Sequence, residues 1–199
     1  VYFPLQIMPE RTILISSPFN TNQVEIIKHI SKSLPIGYRL YVKEHPVQVI
    51  REWRKISFYK DILSIPNVEF LHHSVKTSDV MKKCSLVITI NGAAGLEAAI
   101  HKKPSILFSD FSYSILPSVH QLKSIDELPT AIRSSLQRKV NSADVGKYLN
   151  LLEANTFNFD MFGFDLAYHD YFYYGGNLID TDIPKEKVRG FIKKHKSTF

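Results

Sequence analysis

LVITINGAAGLEAAIHKKPSILF, residues 86–108, decides the fold. An apolar run of strand type gives way to a tight turn of small residues, Asn91 to Gly95. An alanine-rich helix follows, and after a Lys-Lys-Pro break a second apolar run begins. Two runs joined through a helix read as neighbouring parallel strands, because parallel pairing needs a crossover connection.

The same order recurs upstream. YRLYVKEHP (38–46) reads as a strand, VIREWRKISFYKDILS (49–64) as one helical stretch, and NVEFLHHS (67–74) as a further strand after the Pro66–Asn67 turn. TSDVMKKCS (77–85) reads as a short capped helix. Before them, VYFPLQ (1–6) is a buried strand and TILIS (12–16) a second short strand candidate. In residues 20–34, Val24, Ile27, Ile30 and Leu34 share one helical face, with Asn20 or Thr21 as N-cap. This alternation predicts an α/β fold: a doubly wound, mostly parallel, Rossmann-like sheet over residues 1–135. Residues 136–199 read as a helical, aromatic-rich C-terminal extension.

In such a sheet ligands bind beyond the carboxyl ends of the strands, where the strand order reverses. Lys43, Glu44, His45 and Pro46 leave a strand tip toward that crevice, with Pro46 ending the strand. The competing reading makes Lys43 and Glu44 a surface pair and His45 a helix cap. The turn Gly92, Ala93, Ala94 and Gly95 brings small residues to a helix start, where unpaired N–H groups and the helix dipole favour phosphate. Glu97, one turn in, can accept from ribose hydroxyls. Tight helix packing is the alternative; it accounts for Ala98 and Ala99 and leaves Asn91 and Glu97 unexplained. The spacing is neither GxGxxG nor a Walker loop, so a dinucleotide enzyme or an NTPase is not indicated.

Composition excludes several classes. With 44% hydrophobic and 22% charged residues in 199, the chain can build a core and is not a disordered polymer. It contains no apolar run of the roughly 18 to 20 residues that cross a bilayer, and its start lacks signal-peptide character. The chain reads as cytoplasmic. Its single cysteine, Cys84, excludes an internal disulfide and reads as a small buried residue on a helix. Much of the net charge of +6 lies in KEKVRGFIKKHK, residues 185–196. That run is a solvated helix face or a peripheral contact with an anionic membrane, at about 1 kcal/mol per basic residue. Nothing resembles a nucleic-acid motif.

Two further features bear on metals. Strand alternation sends His72 and His73 to opposite faces, against joint ligation. Residues 155–177 crowd aromatics with Asp160, Asp165, His169 and Asp170, without regular ligand spacing. The segment reads as an aromatic packing surface or a carbohydrate-stacking one, and no metal is expected.

Taken in order and spacing, YFPLQIMPE, KEHP and TINGAAGLEAAIHKKP resemble the C-terminal half of bacterial capsule and surface-polysaccharide biosynthesis proteins. These are GT-B glycosyltransferases that include retaining β-Kdo transferases. The resemblance covers about residues 1–130. It implies that residues 1–135 bind a nucleotide-sugar donor, CMP-linked in the Kdo enzymes, with no other cofactor. By position it gives donor binding to Gln6, Lys43, Glu44, His45, Pro46, Thr89, Asn91, Gly92, Ala93, Ala94, Gly95 and Glu97. His45 and Lys43 would balance the leaving phosphate. Glu10, a few residues beyond Gln6, would act at the anomeric carbon, so Glu10 and His45 are the catalytic candidates. The family pattern has Asp there, and here Glu10 follows Pro9. The acceptor would be a glycan or glycolipid at the inner face of the bacterial inner membrane. A complete GT-B enzyme also carries an N-terminal acceptor domain, and this chain opens inside a strand, so the reading expects a half that is inactive alone. A UDP-N-acetylglucosamine 2-epimerase-like enzyme and a non-catalytic nucleotide-sugar-binding module remain the alternatives.

Overall fold

Six short parallel strands make one sheet in the order β3-β2-β1-β4-β5-β6 in a computed structural model, which describes residues 1–51, 54–156, 189–190 and 193. They are β1 (Tyr2–Pro4), β2 (Leu40–Lys43), β3 (Val68–Leu71), β4 (Val87–Thr89), β5 (Ser105–Leu107) and β6 (Val119–Gln121). The Rossmann-like α/β fold expected from the alternation is the fold observed. The helices are α1 (Arg11–Ser16), α2 (Gln23–Ser33), α3 (Pro46–Arg51), α4 (Ile56–Leu63), α5 (Thr77–Lys83), α6 (Ala94–Ile100), α7 (Leu128–Leu136) and α8 (Ser142–Asn155). The chain divides into two compact units, Val1–Gly146 and Lys147–Phe199. The first holds the whole sheet. The division falls beyond residue 135, where the sequence reading closes its first domain.

Alternation along the strands sorts the core onto two faces. Phe3, Leu40, Val42, Ile88 and Ile106 join Ile27, Ile30, Ile62 and Ile132 in the larger cluster. Tyr2 and Val87 point the other way, to Met81, Cys84 and Ala98. β1 is the hinge of this arrangement, since Tyr2 registers with Tyr41 of β2 on one side and Val87 of β4 on the other.

Local details depart from the sequence reading. TILIS is not a strand but most of α1, with Ile13 buried while Leu14 and Ile15 stay exposed. One buried residue among the described side chains of so short a helix leaves too little pattern to tell helix from strand. The stretch 49–64 is two helices rather than one, with Arg54 and Lys55 in the break before α4. The cap of α2 is Asn22, whose Oδ1 accepts from Glu25 N–H at 3.3 Å, while Asn20 ends a 3₁₀ turn. Cys84 is buried as expected but sits at the C-cap of α5. β6 escaped notice because only Val119 of its three residues is buried. His72 and His73 lie past the end of β3, so strand alternation no longer applies; their rings sit together, centroids 4.1 Å apart. The metal and stacking readings of residues 155–177, and the helix-face or membrane reading of 185–196, lie on segments outside the described residues apart from Asn155, Thr156 and three isolated positions. Among the described residues no helix is long and apolar enough to cross a membrane.

The middle of β4 carries the packing. Truncating fully buried Ile88 to alanine is expected to cost about 2–5 kcal/mol in urea unfolding. Ile36→Ser, at a fully exposed turn position, should change stability by less than about 0.5 kcal/mol.

Candidate functional site

The strand order places the topological switch between β1 and β4, whose chain continuations leave toward opposite halves of the sheet. A cleft of about 500 Å³ opens there, at the carboxyl ends of β1, β2 and β4. Gln6 and Glu10 from the first loop line it, as do Lys43 to Pro46 from the second and Asn91 to Ala94 with Glu97 from the third. The structure thus brings three separated motifs into one cavity. Thr89 and Gly95 are not among its walls.

The first loop is held by buried glutamines. Gln23, at the start of α2, accepts from Gln6 N–H at 2.8 Å and donates to Gln6 C=O at 3.1 Å. Gln48 of α3 does the same for Met8, accepting from its N–H at 2.8 Å and donating to its C=O at 3.2 Å. An amide side chain matches both groups of a peptide at once, so each glutamine satisfies a backbone unit that has left the sheet. The Gln6 side chain donates from Nε2 to Thr89 Oγ1 at 3.1 Å, and Thr89 donates onward to Asn91 C=O at 2.8 Å. Thr89 therefore links the first loop to the third from behind the cleft. Glu10 is the N-cap residue of α1 and is half-buried.

Within Lys-Glu-His-Pro the side chains part company. Lys43 is 2% exposed, and burial lowers its pKa, an effect that Glu44 opposes. Its ammonium reaches Thr77 Oγ1 at 3.5 Å. Glu44, also buried, accepts from Arg54 Nε at 2.8 Å, from Tyr59 Oη at 3.0 Å and from His45 N–H at 2.8 Å. So Lys43 and Glu44 are not a surface pair, and Glu44 is spent on the protein rather than offered to a ligand. Burial, then the bond to Glu44, pushes the Tyr59 phenol up to about 12. His45 does cap a helix: its Nδ1 accepts from Val47 N–H at 3.2 Å in the first turn of α3. A neutral ring bonded this way carries its hydrogen on Nε2. Burial lowers the His45 pKa, while the Glu10 carboxylate opposes the shift.

The third loop is tighter than the sequence implied. Gly92 has φ of +84°, a conformation that costs little only for glycine, and its N–H donates to Asn91 Oδ1 at 2.7 Å. That donor is already engaged. Gly95 is glycine for packing rather than for an anion. A Cβ there would meet the Tyr113 ring at 2.6 Å, and the Tyr113 hydroxyl donates to Gly92 C=O. Ala93 and Ala94 line the cleft beside Asn91 and Gly92.

Sequence reasoning missed several contributors. Tyr2, Thr77 and Phe111 also line the cavity. Burial drives the Tyr2 phenol well above its ordinary range, so it stays protonated. Arg54, Tyr59, Gln23, Gln48 and Tyr113 hold the loops from outside. Their spacing carried no signal. Among the described residues no group of three or more His, Cys, Asp or Glu is gathered for a metal.

The profile of the family described as capsule polysaccharide biosynthesis protein matches residues 1–153. No curated protein sequence matches. Among solved structures, the chain resembles the β-Kdo 2,7 transferase KpsC of Thermosulfurimonas dismutans at 19% identity and a TM-score of 0.49, over 64% of this chain and 42% of that one. It also resembles the UDP-GlcNAc 2-epimerase of Methanocaldococcus jannaschii, solved with UDP-GlcNAc and UDP, at 16% identity and a TM-score of 0.52. That likeness covers 77% of this chain and 45% of the epimerase, and at such identity it speaks for the fold alone. The chain spans less than half the length of either protein.

Gly95→Ala tests the packing account. The new methyl cannot be met by moving a flexible tip, because the opposing ring is buried and hydrogen-bonded, so a loss of about 1–3 kcal/mol is expected. Adding Tyr113→Ala removes the clash, and in urea unfolding the double variant should cost less than the sum of the two single changes.

Proposed function

The chain belongs to the capsule polysaccharide biosynthesis protein family, and from that premise we propose that it is the donor-binding half of a glycosyltransferase acting on an activated nucleotide sugar. One observation carries the reading: Gln6 and Glu10, Lys43 to Pro46, and Asn91 to Ala94 with Glu97, far apart in sequence, meet in one cleft at the switch point of the sheet. The donor is a nucleotide-linked sugar, CMP-linked if the sugar is a Kdo-like 2-keto acid, and the acceptor a glycan or glycolipid.

The chemistry follows from charge. Breaking a glycosyl phosphate bond builds negative charge on the leaving phosphate and positive charge on the sugar ring. His45, kept neutral by burial, donates a hydrogen bond from Nε2 to a phosphate oxygen, and that bond strengthens as the oxygen gains negative charge. Lys43 supplies a fixed positive charge from the floor of the cleft. Glu10 faces the developing cation, as a nucleophile or as an electrostatic partner. Glu97, exposed at the rim on α6, takes the ribose hydroxyls. In this assignment Glu44 supports the site and does not touch the donor.

Calorimetric titration of the chain with CMP, UDP and GDP tests the reading. Preference for CMP is expected; preference for UDP would move the protein to the epimerase class, and no binding of any of the three overturns the proposal. Ala94→Asp should abolish binding by like-charge repulsion with little change in Tm. His45→Ala should weaken binding about tenfold, or ~1.4 kcal/mol.

Two further expectations separate binding from catalysis. By NMR the His45 imidazole should titrate below the ordinary histidine range, and bound nucleotide should raise that value, so binding strengthens as pH falls toward it. Glu10→Gln should leave nucleotide affinity intact while lowering turnover of the full-length enzyme about 100-fold or more, since that carboxylate acts in the transition state. Full activity of that variant would remove Glu10 from the chemistry.

A further inference from the structure

Arg54 lies outside every motif of the sequence, yet it joins two loops of the cleft. Its Nε donates to Glu44 Oε2 at 2.8 Å and its Nη2 to Glu44 Oε1 at 3.3 Å. The same Nη2 donates to the main-chain carbonyl of Gln6. The Arg54 and Glu44 side chains are 8% and 2% exposed, so solvent does not compete for these bonds. The guanidinium also lies over the Phe58 ring, 4.7 Å from its centroid, and Phe58 and Tyr59 meet edge to face. The carboxylate it grips accepts from His45 N–H as well.

We propose that Arg54 is a positioning residue of the candidate site, fixing the His45 backbone through Glu44 and the Gln6–Glu10 loop through the Gln6 carbonyl. An ammonium could not replace it. A guanidinium presents a flat fork that reaches a carboxylate and a carbonyl together, whereas lysine offers one nitrogen. Nor is the pair explained as a simple source of stability, because a buried ion pair is often no better than apolar packing of similar volume. What it supplies is direction: Glu44 directly follows a strand of fixed register, and Arg54 transfers that register to a loop with no strand of its own. The functional consequence rests on the donor-site reading, but the brace itself does not.

The test is amide hydrogen exchange on the chain carrying Arg54→Lys, which keeps the charge. The Gln6 and His45 amides should exchange at least tenfold faster, while Ile88 of β4 and Ile106 of β5 keep their protection and Tm moves by only a few degrees. Affinity for CMP or UDP, whichever wild type prefers, should fall about tenfold. Unchanged exchange at Gln6 and His45 overturns the proposal. So does a uniform rise that includes Ile88 and Ile106, which would make Arg54 a general stabiliser. Should Arg54→Lys not fold, Tyr59→Phe removes one partner of Glu44; faster exchange at His45 with Gln6 unaltered supports the brace, and no change at His45 overturns it. If wild type binds no nucleotide, the donor-site reading fails and exchange alone decides.

Discussion

Parallel pairing of β1 with both β2 and β4 is the constraint from which the rest of the structure follows. Tyr2 N–H donates to Leu86 C=O on one side, and Tyr41 N–H donates to Val1 C=O on the other. Because both pairings are parallel, all three strands release the chain at the same edge, and none can be joined by a hairpin. Each connection must travel back along a face through a helix. The faces are thereby covered, and the loops after β1, β2 and β4 are gathered without any attraction between them. A cleft at that edge is a product of topology before it is a product of side chains.

Gathering loops creates a polar problem, since backbone that leaves a strand loses its partners. This chain meets it with side chains that imitate a peptide. Gln23 and Gln48, at 2% and 3% exposure, each bond both the N–H and the C=O of one residue in the first loop. An unsatisfied buried amide costs about 1–3 kcal/mol, so these bonds fix the loop more firmly than its lack of secondary structure suggests. Thr89 and Tyr113 serve the third loop likewise, with hydroxyls that terminate on Asn91 and Gly92 carbonyls. The residues facing the ligand space are therefore held by residues that do not face it.

This division explains which parts of the molecule could be read from sequence. The βα alternation was legible because buried parallel strands are continuous apolar runs, LVITI and PSILF among them, and because Pro and Gly punctuate them. The site loops were legible because ionisable and small residues stood where apolar runs ended. What supports the loops was not. Arg54 sits in what reads as an uninterrupted helix, whereas it lies between two helices, at an interruption that no periodicity marks. Gly95 looks like part of a phosphate turn, whereas its lack of a Cβ answers to Tyr113, a residue from a later loop. The His72–His73 pair shows the same limit: alternation holds only while the strand continues, and β3 ends one residue too soon.

Within Lys-Glu-His-Pro, three adjacent ionisable residues end in three different electrostatic surroundings, because each meets different partners on leaving water. Glu44 has a guanidinium, a phenol and a peptide N–H in place of water around it. Lys43, equally buried, has a threonine hydroxyl for company and no ion pair among the described residues, so burial pulls its pKa down while Glu44 holds against it. His45 gives up its charge most readily, because half-burial suffices to neutralise a group that titrates near neutrality. The acid is thus cancelled internally by Arg54, and the cleft is left with an uncancelled lysine and a neutral imidazole donor, facing Glu10 and Glu97. A cation at the floor and carboxylates farther out suit a guest that is anionic at one end and rich in hydroxyls elsewhere. That polarity depends on Arg54: without its charge the buried Glu44 carboxylate would stand uncompensated, and its field would offset the Lys43 charge that makes the floor attractive to an anion.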